Sequence, residues 1–503
     1  MLKSYTTCMN EISADELYEG LLAHGLFSEK LPPFLTAQPF FDYCQGNNVS
    51  FPDKWRQYIY FESMRNINVP RPLGIPNPMA YQSLCQCLAD NWDKIQNHFA
   101  DQTGNQDYKI SRIHIRKMSK SKALFKMNYD DWRTDGNPEI DLAIGNHYLV
   151  RADISTCFPS IYTHSIAWAL VKKAQAKSNS GSKFKSEWYN KIDHYTQNIK
   201  NGETHGLIIG PHASNLLSEI ILTSIDNRLY HKDWRYTRNI DDYSAYVRTY
   251  EDGQKFLRKL GEELRNFDLS LNHKKTEIIE LPVAPDDQWV HRLSFISFCK
   301  RNGQIDFAGT RAYLDLAIEQ MSKNKMNSAI LNYALKVLSG QKLTPNAKEY
   351  SIKTFFHLSI IFPYLIPLLE EYVFDKYSVS TEEISDLANL IYQQGLANRN
   401  FEAVSHAIYF SIKFDFSIKE IKPEAAIQSD SCIFILLTYK YFQKRGDKGA
   451  LRAIKDHVLE FKSSDDDFNR NWLLFYEVLN QSDLPAEWKA LKKSGVTFIK
   501  DGF

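Results

Sequence analysis

The chain has 503 residues, which is enough for two to four domains with large hydrophobic cores. Hydrophobic residues make up 43% of it and charged residues 24%, an ordinary globular composition. The net charge of +1 excludes a protein that is strongly basic throughout and grips a long duplex, so any nucleic acid is held locally or is short.

The sequence also argues against secretion and membrane insertion. Its seven cysteines cannot all pair with one another and lack zinc-ligand spacing, which indicates a reducing compartment. The N-terminus has no apolar core of a signal peptide. The most apolar segment, residues 355–369, is short for a membrane span and contains two prolines, so it predicts a buried helix that is kinked or broken there. We therefore expect a cytoplasmic protein.

Residues 1 to about 60 are predicted to be helical. The first clear helix start is a capping box over residues 13–16. Residues 69–78 contain four prolines and a glycine, which excludes a regular helix and predicts an extended, turn-rich segment. A helix is predicted to follow over residues 79–99.

Residues 109–126 contain seven basic residues and no acidic one. Basic residues and isoleucines alternate in the segment RIHIR, as in a strand, and the following SKSK predicts a turn. We expect a basic β-hairpin whose cations as a group face phosphates, with a solvated charged surface as the alternative. The seven residues are Lys109, Arg112, Arg116, Lys117, Lys120, Lys122 and Lys126.

The middle of the chain is predicted to alternate strands with helices. Residues 147–154 predict a strand that enters a tight turn, and residues 236–247 predict a β-hairpin. Helices are predicted over residues 162–173, 215–229 and 251–266. A mobile loop is predicted over residues 174–186 and a pair of strands over residues 269–281.

From about residue 308 to the end, helical patterns follow one another with short polar breaks, and one helix start is visible at residues 380–383. This arrangement is typical of stacked antiparallel helix pairs, although no repeat unit is sharp. The chain is therefore predicted to hold an α+β unit over residues 1–305 and an all-α unit over residues 306–503.

Three aspartates form the candidate catalytic set. Asp153 lies at a predicted strand end, and Asp241 and Asp242 lie in a predicted hairpin 88 residues further along the chain. Two-metal phosphoryl transfer needs carboxylates that hold two Mg²⁺ ions about 3.5–4 Å apart, and a strand end and a neighbouring turn can supply them. An Asp–Asp pair alone is more often a solvated turn, so the order of the flanking motifs decides between these interpretations.

The ordered set resembles motifs A to D of reverse transcriptases. RADISTCFPSIYTHSIAWAL (residues 151–170) and GETHGLIIGPHASNLLSEI (residues 202–220) are similar to the abortive-infection (Abi) branch of these polymerases. The matching residues are Asp153 and Phe158 in motif A, Gly206, Gly210 and Ser214 in motif B, Asp241 and Asp242 in motif C, and Lys275 in motif D. The resemblance covers residues 60–280 by motif and the rest by architecture. It implies a reverse-transcriptase-like fingers–palm domain followed by HEAT-like helical repeats.

The resemblance implies a role for each residue of motifs A and C. Asp153 and Asp241 would ligate both metals, with the backbone carbonyl of Ile154 as an extra ligand, and Asp242 would support them. Phe158 would act as a steric gate against the 2′-hydroxyl of ribonucleotides, with core packing as the alternative.

A second group of residues is expected to bind the incoming nucleotide. Gly206 and Gly210 would let the backbone approach the nascent base pair, and Ser214 is either a nucleotide contact or a helix cap. Lys275 would donate a proton to the leaving pyrophosphate, unless it is only a solvated lysine. Arg71 would grip the triphosphate with its planar guanidinium. The rival phosphate contacts in the basic hairpin are Arg112, Arg116 and Lys120.

Two departures from the family pattern concern templating. Asn239 replaces the usual aromatic before the aspartate pair, and Ile208-Ile209 replace the usual Pro-Gln of motif B, which argues against templated copying. The resemblance then implies a bacterial, self-associating anti-phage polymerase. It would use Mg²⁺ or Mn²⁺ to build single-stranded DNA from dNTPs without a template, covalently attached to a tyrosine hydroxyl of the protein.

Three points remain open on the sequence. The primer is one choice among 28 tyrosines, and the N-terminal candidates are Tyr5, Tyr18 and Tyr43. A templated RNA-dependent polymerase of the retron or intron type is the first alternative function. A helical-repeat scaffold with a relic palm is the second.

Overall fold

A mixed α/β region is followed by a helical region in the computed structural model, which describes residues 3–47, 49–112, 115–118, 123–124, 135–283, 288–294, 300–301, 303–460 and 465–503. This order of classes is as the sequence predicts, whereas HEAT-like repeats and the boundary at residue 305 stay predictions. Within the described ranges, no helix is long and apolar enough to cross a membrane.

A two-stranded antiparallel hairpin, β1 (Ile59–Met64) and β2 (Pro70–Ile75), follows the first helices. It contains the proline-rich segment that the sequence predicts to be extended. In the described part of the chain no further strand pairs with this hairpin, so its prolines leave no ladder partner unsatisfied. A side chain at Gly74 would clash with Ile208 and Tyr58, so glycine is required where β2 crosses residues 206–210.

Four strands form an antiparallel sheet, which we call the central sheet, in the order β4–β5–β3–β6. The strands are β3 (Tyr148–Asp153), β4 (Tyr236–Asn239), β5 (Asp242–Val247) and β6 (Glu277–Glu280). Buried and more exposed side chains alternate along β5, as expected for a sheet with one covered face. The predicted hairpin over residues 236–247 is confirmed. A small separate pair, β7 (Lys300–Arg301) and β8 (Gln304–Ile305), follows the central sheet in the chain.

Helices surround these strands. Those before β7 are α1 (Tyr5–Asn10), α2 (Ala14–Leu22), α3 (Gln38–Asn47), α4 (Pro78–Asp90), α5 (Trp92–Thr103), α6 (Pro138–Ala143), α7 (Cys157–Ser160), α8 (His164–Val171), α9 (Lys173–Ser178), α10 (Trp188–Asn198), α11 (His212–Tyr230), α12 (Tyr250–Arg265) and α13 (Gln288–Ser294). The amphipathic α12 follows the cap residue Thr249 and buries Phe256 and Leu260 among its apolar residues, while its charged side chains other than the buried Glu263 lie mainly on the outer face. It packs on β3 and β5, and so covers one face of the central sheet.

The region after residue 306 is helical, as its sequence predicts. Its helices are α14 (Phe307–Lys323), α15 (Ala329–Ser339), α16 (Pro345–Ile361), α17 (Asp375–Tyr377), α18 (Thr381–Ala397), α19 (Phe401–Phe414), α20 (Pro423–Ile427), α21 (Cys432–Arg445), α22 (Lys448–Glu460), α23 (Asp465–Arg470), α24 (Trp472–Val478) and α25 (Ala486–Lys493). The apolar segment 355–369 is broken as predicted, because α16 ends before Pro363 and a 3₁₀ turn continues to Leu368. The predicted capping box at residues 13–16 is present, and the predicted helix start at residues 380–383 is also a capping box.

Three predicted elements differ from the structure. The helix over residues 79–99 is two helices that meet at Asn91, whose backbone leaves the helical conformation. The loop over residues 174–186 begins with helix α9, because Ala176 finds a buried site there. The strand pair over residues 269–281 contains one strand, β6, because the chain first turns through a 3₁₀ helix capped by the side chain of Asn272.

The helical region packs directly on the N-terminal region. Arg56, which is buried, forms a two-bond ion pair with Glu487 at 2.8 and 2.9 Å. The indole of Trp472 donates to the carbonyl of Ile75 at the end of β2. These contacts join residues more than 390 positions apart, so the hairpin β1–β2 is held on one side by the C-terminal helices.

Candidate active site

The three predicted aspartates meet at one edge of the central sheet. Asp153 ends β3 and pairs across the sheet with Asp242, the first residue of β5. Asp241 occupies the turn just before it, and its carbonyl accepts a 3.1 Å hydrogen bond from the backbone N–H of Ile154. Ile240 has a φ of +52°, a strained value for a β-branched residue, which makes the turn sharp.

A buried arginine beneath this turn fixes its shape. Arg238, on β4, is fully buried and donates to the carbonyl of Ile240 at 2.7 Å. Its guanidinium also contacts the carboxylates of Asp226 and Glu219 on α11, at 2.6 and 3.1 Å. Arg238 therefore supplies the hydrogen bond that the carbonyl of the strained turn needs, and its two carboxylate partners balance its buried charge.

Burial and neighbouring negative charge raise the pKa of two of these carboxylates, Asp241 and Asp242. Shielding from water and the charge of Asp153 raise the pKa of Asp241, an increase that Lys275 and Arg71 oppose. Shielding from water, together with the charges of Asp241 and Asp153, raises the pKa of Asp242 to about 7. Such mutual repulsion means that the cluster is stabilised by any cation placed among its oxygens.

Lys275 supplies one such cation. Its ammonium group donates to Oδ2 of Asp153 at 2.5 Å, and Asn272 donates to Oδ1 at 3.0 Å. The backbone N–H of Asn272 also donates to the carbonyl of Asp153 at 2.8 Å. Although shielding from water opposes it, the hydrogen bond with Asp153 raises the pKa of Lys275, so the lysine stays protonated.

The donor set fits a cation that prefers oxygen ligands. It consists of carboxylates, two of them with raised pKa values, and an ammonium group already neutralises part of their charge. In the described part of the chain, no group of three or more His, Cys, Asp or Glu side chains is gathered into a ready-made metal cage. The carbonyl of Ile154 directly follows Asp153, and its role as a ligand stays a prediction.

Arg71 lies on β2 of the hairpin β1–β2, and its positive charge opposes the increase in the pKa of Asp241. Lys275 contacts Asp153 directly, whereas a triphosphate contact for Arg71 stays a prediction.

The basic segment is placed differently from the expectation. Lys109 and Arg116 both bind the buried carboxylate of Asp135, at 2.5 and 3.0 Å, and both are largely buried. Arg112 donates to the carbonyl of Gly136 at 2.7 Å, and its own backbone N–H donates to Arg238 on β4. A phosphate-facing or solvated surface is thus wrong for Lys109 and Arg116, because Asp135 needs both charges when buried. Lys120, Lys122 and Lys126 lie outside the described residues.

Motif A and motif B are joined by backbone hydrogen bonds. The carbonyl of Phe158, on α7, accepts from Leu207 at 2.8 Å, and the N–H of Gly206 donates to Ile161 at 2.7 Å. The Phe158 side chain is partly exposed, so it is not simply a core residue. Gly210 has a φ of +132°, and a Cβ there would lie 3.0 Å from the carbonyl of Gly74.

Ser214 is not a helix cap. The cap position of α11 is Pro211, and Ser214 lies inside the first turn. Its hydroxyl is buried and has no hydrogen-bond partner among the described residues. A nucleotide contact for Ser214 stays a prediction.

Sequence reasoning missed Arg238, Asn272 and the two acidic residues of α11. A signal for the latter exists: Glu219 and Asp226 are seven positions apart in a helix that is otherwise mainly apolar, so they lie on one face. Charged residues on a buried helix need a partner, which predicts a buried basic residue. The identity of that partner depends on the tertiary fold.

The comparisons with known proteins agree with this site. A family model described as "Reverse transcriptase (RNA-dependent DNA polymerase)" matches residues 72–311, which include every motif residue named above except Arg71. None of the curated proteins compared with the chain matches it.

Solved structures of telomerases are also similar to this chain. Telomerase from Candida albicans, in complex with a TWJ fragment of telomeric RNA, is 12% identical, with a TM-score of 0.30 over 88% of this chain and 70% of that chain. Apo telomerase from Candida tropicalis is 12% identical, with a TM-score of 0.33 over 87% and 71%. Structural similarity at these scores supports no conclusion about function. The family match, in contrast, covers the whole carboxylate site, and we conclude that this chain contains a reverse transcriptase domain and is a nucleotidyltransferase of that class.

Proposed function

We propose that this chain is a bacterial anti-phage DNA polymerase of the abortive-infection type, which adds deoxynucleotides without a template to a hydroxyl of the protein itself. The observation that carries the catalytic part is the meeting of Asp153, Asp241 and Asp242 at one sheet edge, with Lys275 bound to Asp153. The motif segments 151–170 and 202–220, which resemble the Abi branch, support the finer assignment.

Each residue at this edge has a proposed task. Asp153 and Asp241 would hold Mg²⁺, or Mn²⁺ in its place, and Asp242 would support them; the bound ions would supply activation of the attacking hydroxyl and neutralisation of the developing charge. Lys275, which is bonded to Asp153, would donate a proton to the departing pyrophosphate. Arg71 grips the triphosphate, and Phe158 excludes the 2′-hydroxyl of ribonucleotides.

The surroundings of motif B support synthesis without a template. Ile208 is 4% exposed and packs on Gly74 of β2, and the carbonyl of Ile209 accepts from the N–H of Gly74 at 2.9 Å. These residues stand where the family has Pro-Gln. Since they are turned into contact with the hairpin, they are poorly placed to seat a templating base.

Burial restricts the choice of primer among the three N-terminal candidates. The hydroxyl of Tyr5 donates to Glu219 in the core, and the hydroxyl of Tyr18 accepts from Gln82. Both are buried, whereas Tyr43 is partly exposed on α3. Of these three, Tyr43 is therefore the one we propose to test first.

A templated RNA-dependent DNA polymerase is the second candidate. The observation that favours it is the family match itself, whose description names that activity. The replacement of motif B and the low net charge favour the first candidate. A copurifying RNA of defined sequence would favour the second.

The test is to incubate the protein with Mg²⁺ and one labelled dNTP, with neither template nor primer. Products are run on denaturing gels before and after protease digestion, with Tyr43→Phe as the primer variant. Long products that enter the gel only after digestion support protein-primed, untemplated synthesis. Incorporation that starts only when a primed template is added would overturn it in favour of the second candidate. Self-association is measured on the same preparation by light scattering.

A further inference from the structure

The C-terminal helical region forms hydrogen bonds with β1, the strand that pairs with the Arg71 strand β2. Glu402, near the start of α19, is 4% exposed and accepts hydrogen bonds from the hydroxyl of Ser63 at 2.7 Å and from the N–H of Met64 at 2.5 Å. Both donors belong to β1. A buried carboxylate with two such partners fixes the position of that strand end more firmly than apolar packing alone would.

The register of the hairpin places Arg71 directly opposite one of the residues that Glu402 holds. Ser63 of β1 and Arg71 of β2 are direct cross-strand partners, so their Cβ atoms lie about 4.5–5.5 Å apart on one face. Arg71 is the residue proposed above to bind the triphosphate. One strand pair therefore separates Glu402 of the helical region from the proposed triphosphate-binding residue.

The connecting turn of the hairpin is held by the same region. Asn66 donates to Asn327 at 2.6 Å, and its carbonyl accepts from the hydroxyl of Ser328 at 2.7 Å. Asn68 donates to the carbonyl of Ile361 at 3.0 Å. The end of the hairpin that carries Arg71 is thus attached to the helical region at three places, and it cannot shift without breaking polar contacts.

We infer that Glu402 is a positioning residue, which holds β1 so that Arg71 on β2 meets the triphosphate of the incoming nucleotide. The inference rests on the proposed role of Arg71. It gives the C-terminal region a part in nucleotide binding, beyond any part in assembly or anti-phage action.

The nature of the contact suggests a conservative variant that restores it. In Glu402→Gln, the amide oxygen can accept from Met64 and the amide nitrogen can donate to the hydroxyl of Ser63, so both hydrogen bonds persist. In Glu402→Ala, both donors lose their partner. In Ser63→Ala, only one of the two bonds is lost, so this variant offers a milder change should Glu402→Ala not fold.

The experiment measures equilibrium binding of a dNTP analogue with a methylene bridge between the α- and β-phosphorus, in the presence of Mg²⁺. This readout does not depend on primer, template or turnover. We expect Glu402→Ala to weaken binding about 10-fold and Ser63→Ala about 3-fold, because a small displacement of a phosphate-binding group is costly. Glu402→Gln should bind like the unmodified protein. Glu487→Gln, which changes another contact of the same interface, should also leave binding unchanged.

A double variant separates positioning from general loosening. If Glu402 acts through Arg71, Arg71→Ala weakens binding and adding Glu402→Ala weakens it no further. Effects that multiply in the double variant would overturn the inference, as would full binding by Glu402→Ala and Ser63→Ala while Arg71→Ala binds weakly. Full binding by Arg71→Ala would instead overturn the proposed role of Arg71 and the inference with it.

Discussion

The ammonium group of Lys275 lies 2.5 Å from Oδ2 of Asp153, although the two residues are 122 positions apart in the chain. The protein therefore neutralises part of its carboxylate cluster with a cation of its own. A metal ion that bound to Oδ2 of Asp153 would compete with this ammonium group. Under the proposed function, the released lysine would serve as the proton donor, so metal binding and placement of that donor would be coupled.

Replacing Lys275 should therefore have opposite effects on metal binding and on catalysis. Lys275→Met keeps the aliphatic stem and removes the charge, so Mg²⁺ should bind more tightly, while incorporation slows about 10²–10⁴-fold without the proton donor. The measurements are the Mg²⁺ dependence of the melting temperature and the single-turnover rate. Lys274→Met, the neighbouring exposed lysine, is the control. An unchanged rate would show that Lys275 is only a structural partner of Asp153.

The buried arginine under the catalytic turn should be important for stability. Arg238→Met leaves Glu219 and Asp226 buried without their cation, so the free energy of unfolding should fall by about 3–5 kcal/mol. Arg235 directly precedes the same strand and is partly exposed, so Arg235→Met should change the free energy of unfolding by less than about 0.5 kcal/mol. Urea unfolding measures both values. A loss below about 1 kcal/mol for Arg238→Met, roughly the smallest cost of breaking a buried pair, would contradict this role.

The meeting of the three aspartates could be predicted from the sequence, and the residues that support them could not. Asp153, Asp241 and Asp242 are recognisable because phosphoryl transfer needs carboxylates in a fixed order of motifs. Arg238 and Asn272 act through partners that only the tertiary fold brings near. For the same reason the basic segment was misplaced: no local pattern shows that Asp135 lies between Lys109 and Arg116.

The secondary-structure elements also divide into those that the sequence predicts and those that depend on the tertiary fold. The capping boxes, the broken apolar helix and the β4–β5 hairpin depend on neighbouring residues, and all were predictable. Helix α9 was not, because its short polar sequence is helical only where Ala176 packs into a buried site. The grip of Glu402 on β1 joins residues more than 330 positions apart, and nothing in either segment predicts the other.

Glu402 should also give the protein a measurable dependence of stability on pH. Burial raises the pKa of Glu402 to about 7, although Met64, Ser63 and the charge of Lys30 oppose the increase. Above pH 4.5, the ordinary pKa of a glutamate, the unfolded state releases the proton of Glu402, whereas the native state keeps it up to about pH 7. The stability that the bound proton contributes is complete below about pH 4.5 and is lost as the pH rises to about 7.

The difference between the unmodified protein and Glu402→Gln isolates this effect. From pH 5 to pH 8, the stability of Glu402→Gln relative to the unmodified protein should rise by about 3 kcal/mol. Glu487→Gln should show no such trend between pH 5 and pH 8, because Arg56 lowers the pKa of Glu487 against the effect of burial and its contribution changes only below about pH 4.5. Parallel pH profiles for Glu402→Gln and the unmodified protein would contradict the assignment.

Phe158 should control the choice of sugar. Its side chain is partly exposed on α7, directly after the strand that ends in Asp153. Phe158→Ala removes the ring that would meet a 2′-hydroxyl, so the preference for dNTPs over rNTPs should fall about 10–100-fold. Competition between labelled dATP and ATP measures this ratio, with Cys157→Ala on the same helix as the control. An unchanged ratio would assign Phe158 to packing alone.

The most direct measurement compares nucleotide incorporation by the unmodified protein and by Asp241→Asn. Both are incubated with Mg²⁺ and all four labelled dNTPs, once alone and once with a primed template, after circular dichroism has shown that both are folded. We predict that the unmodified protein incorporates label in at least one condition and that Asp241→Asn loses at least about 10³-fold of that rate, because its metal ligand is gone. Equal incorporation by the two proteins would contradict the assignment of Asp241. No incorporation by the unmodified protein in either condition would contradict polymerase activity at this site.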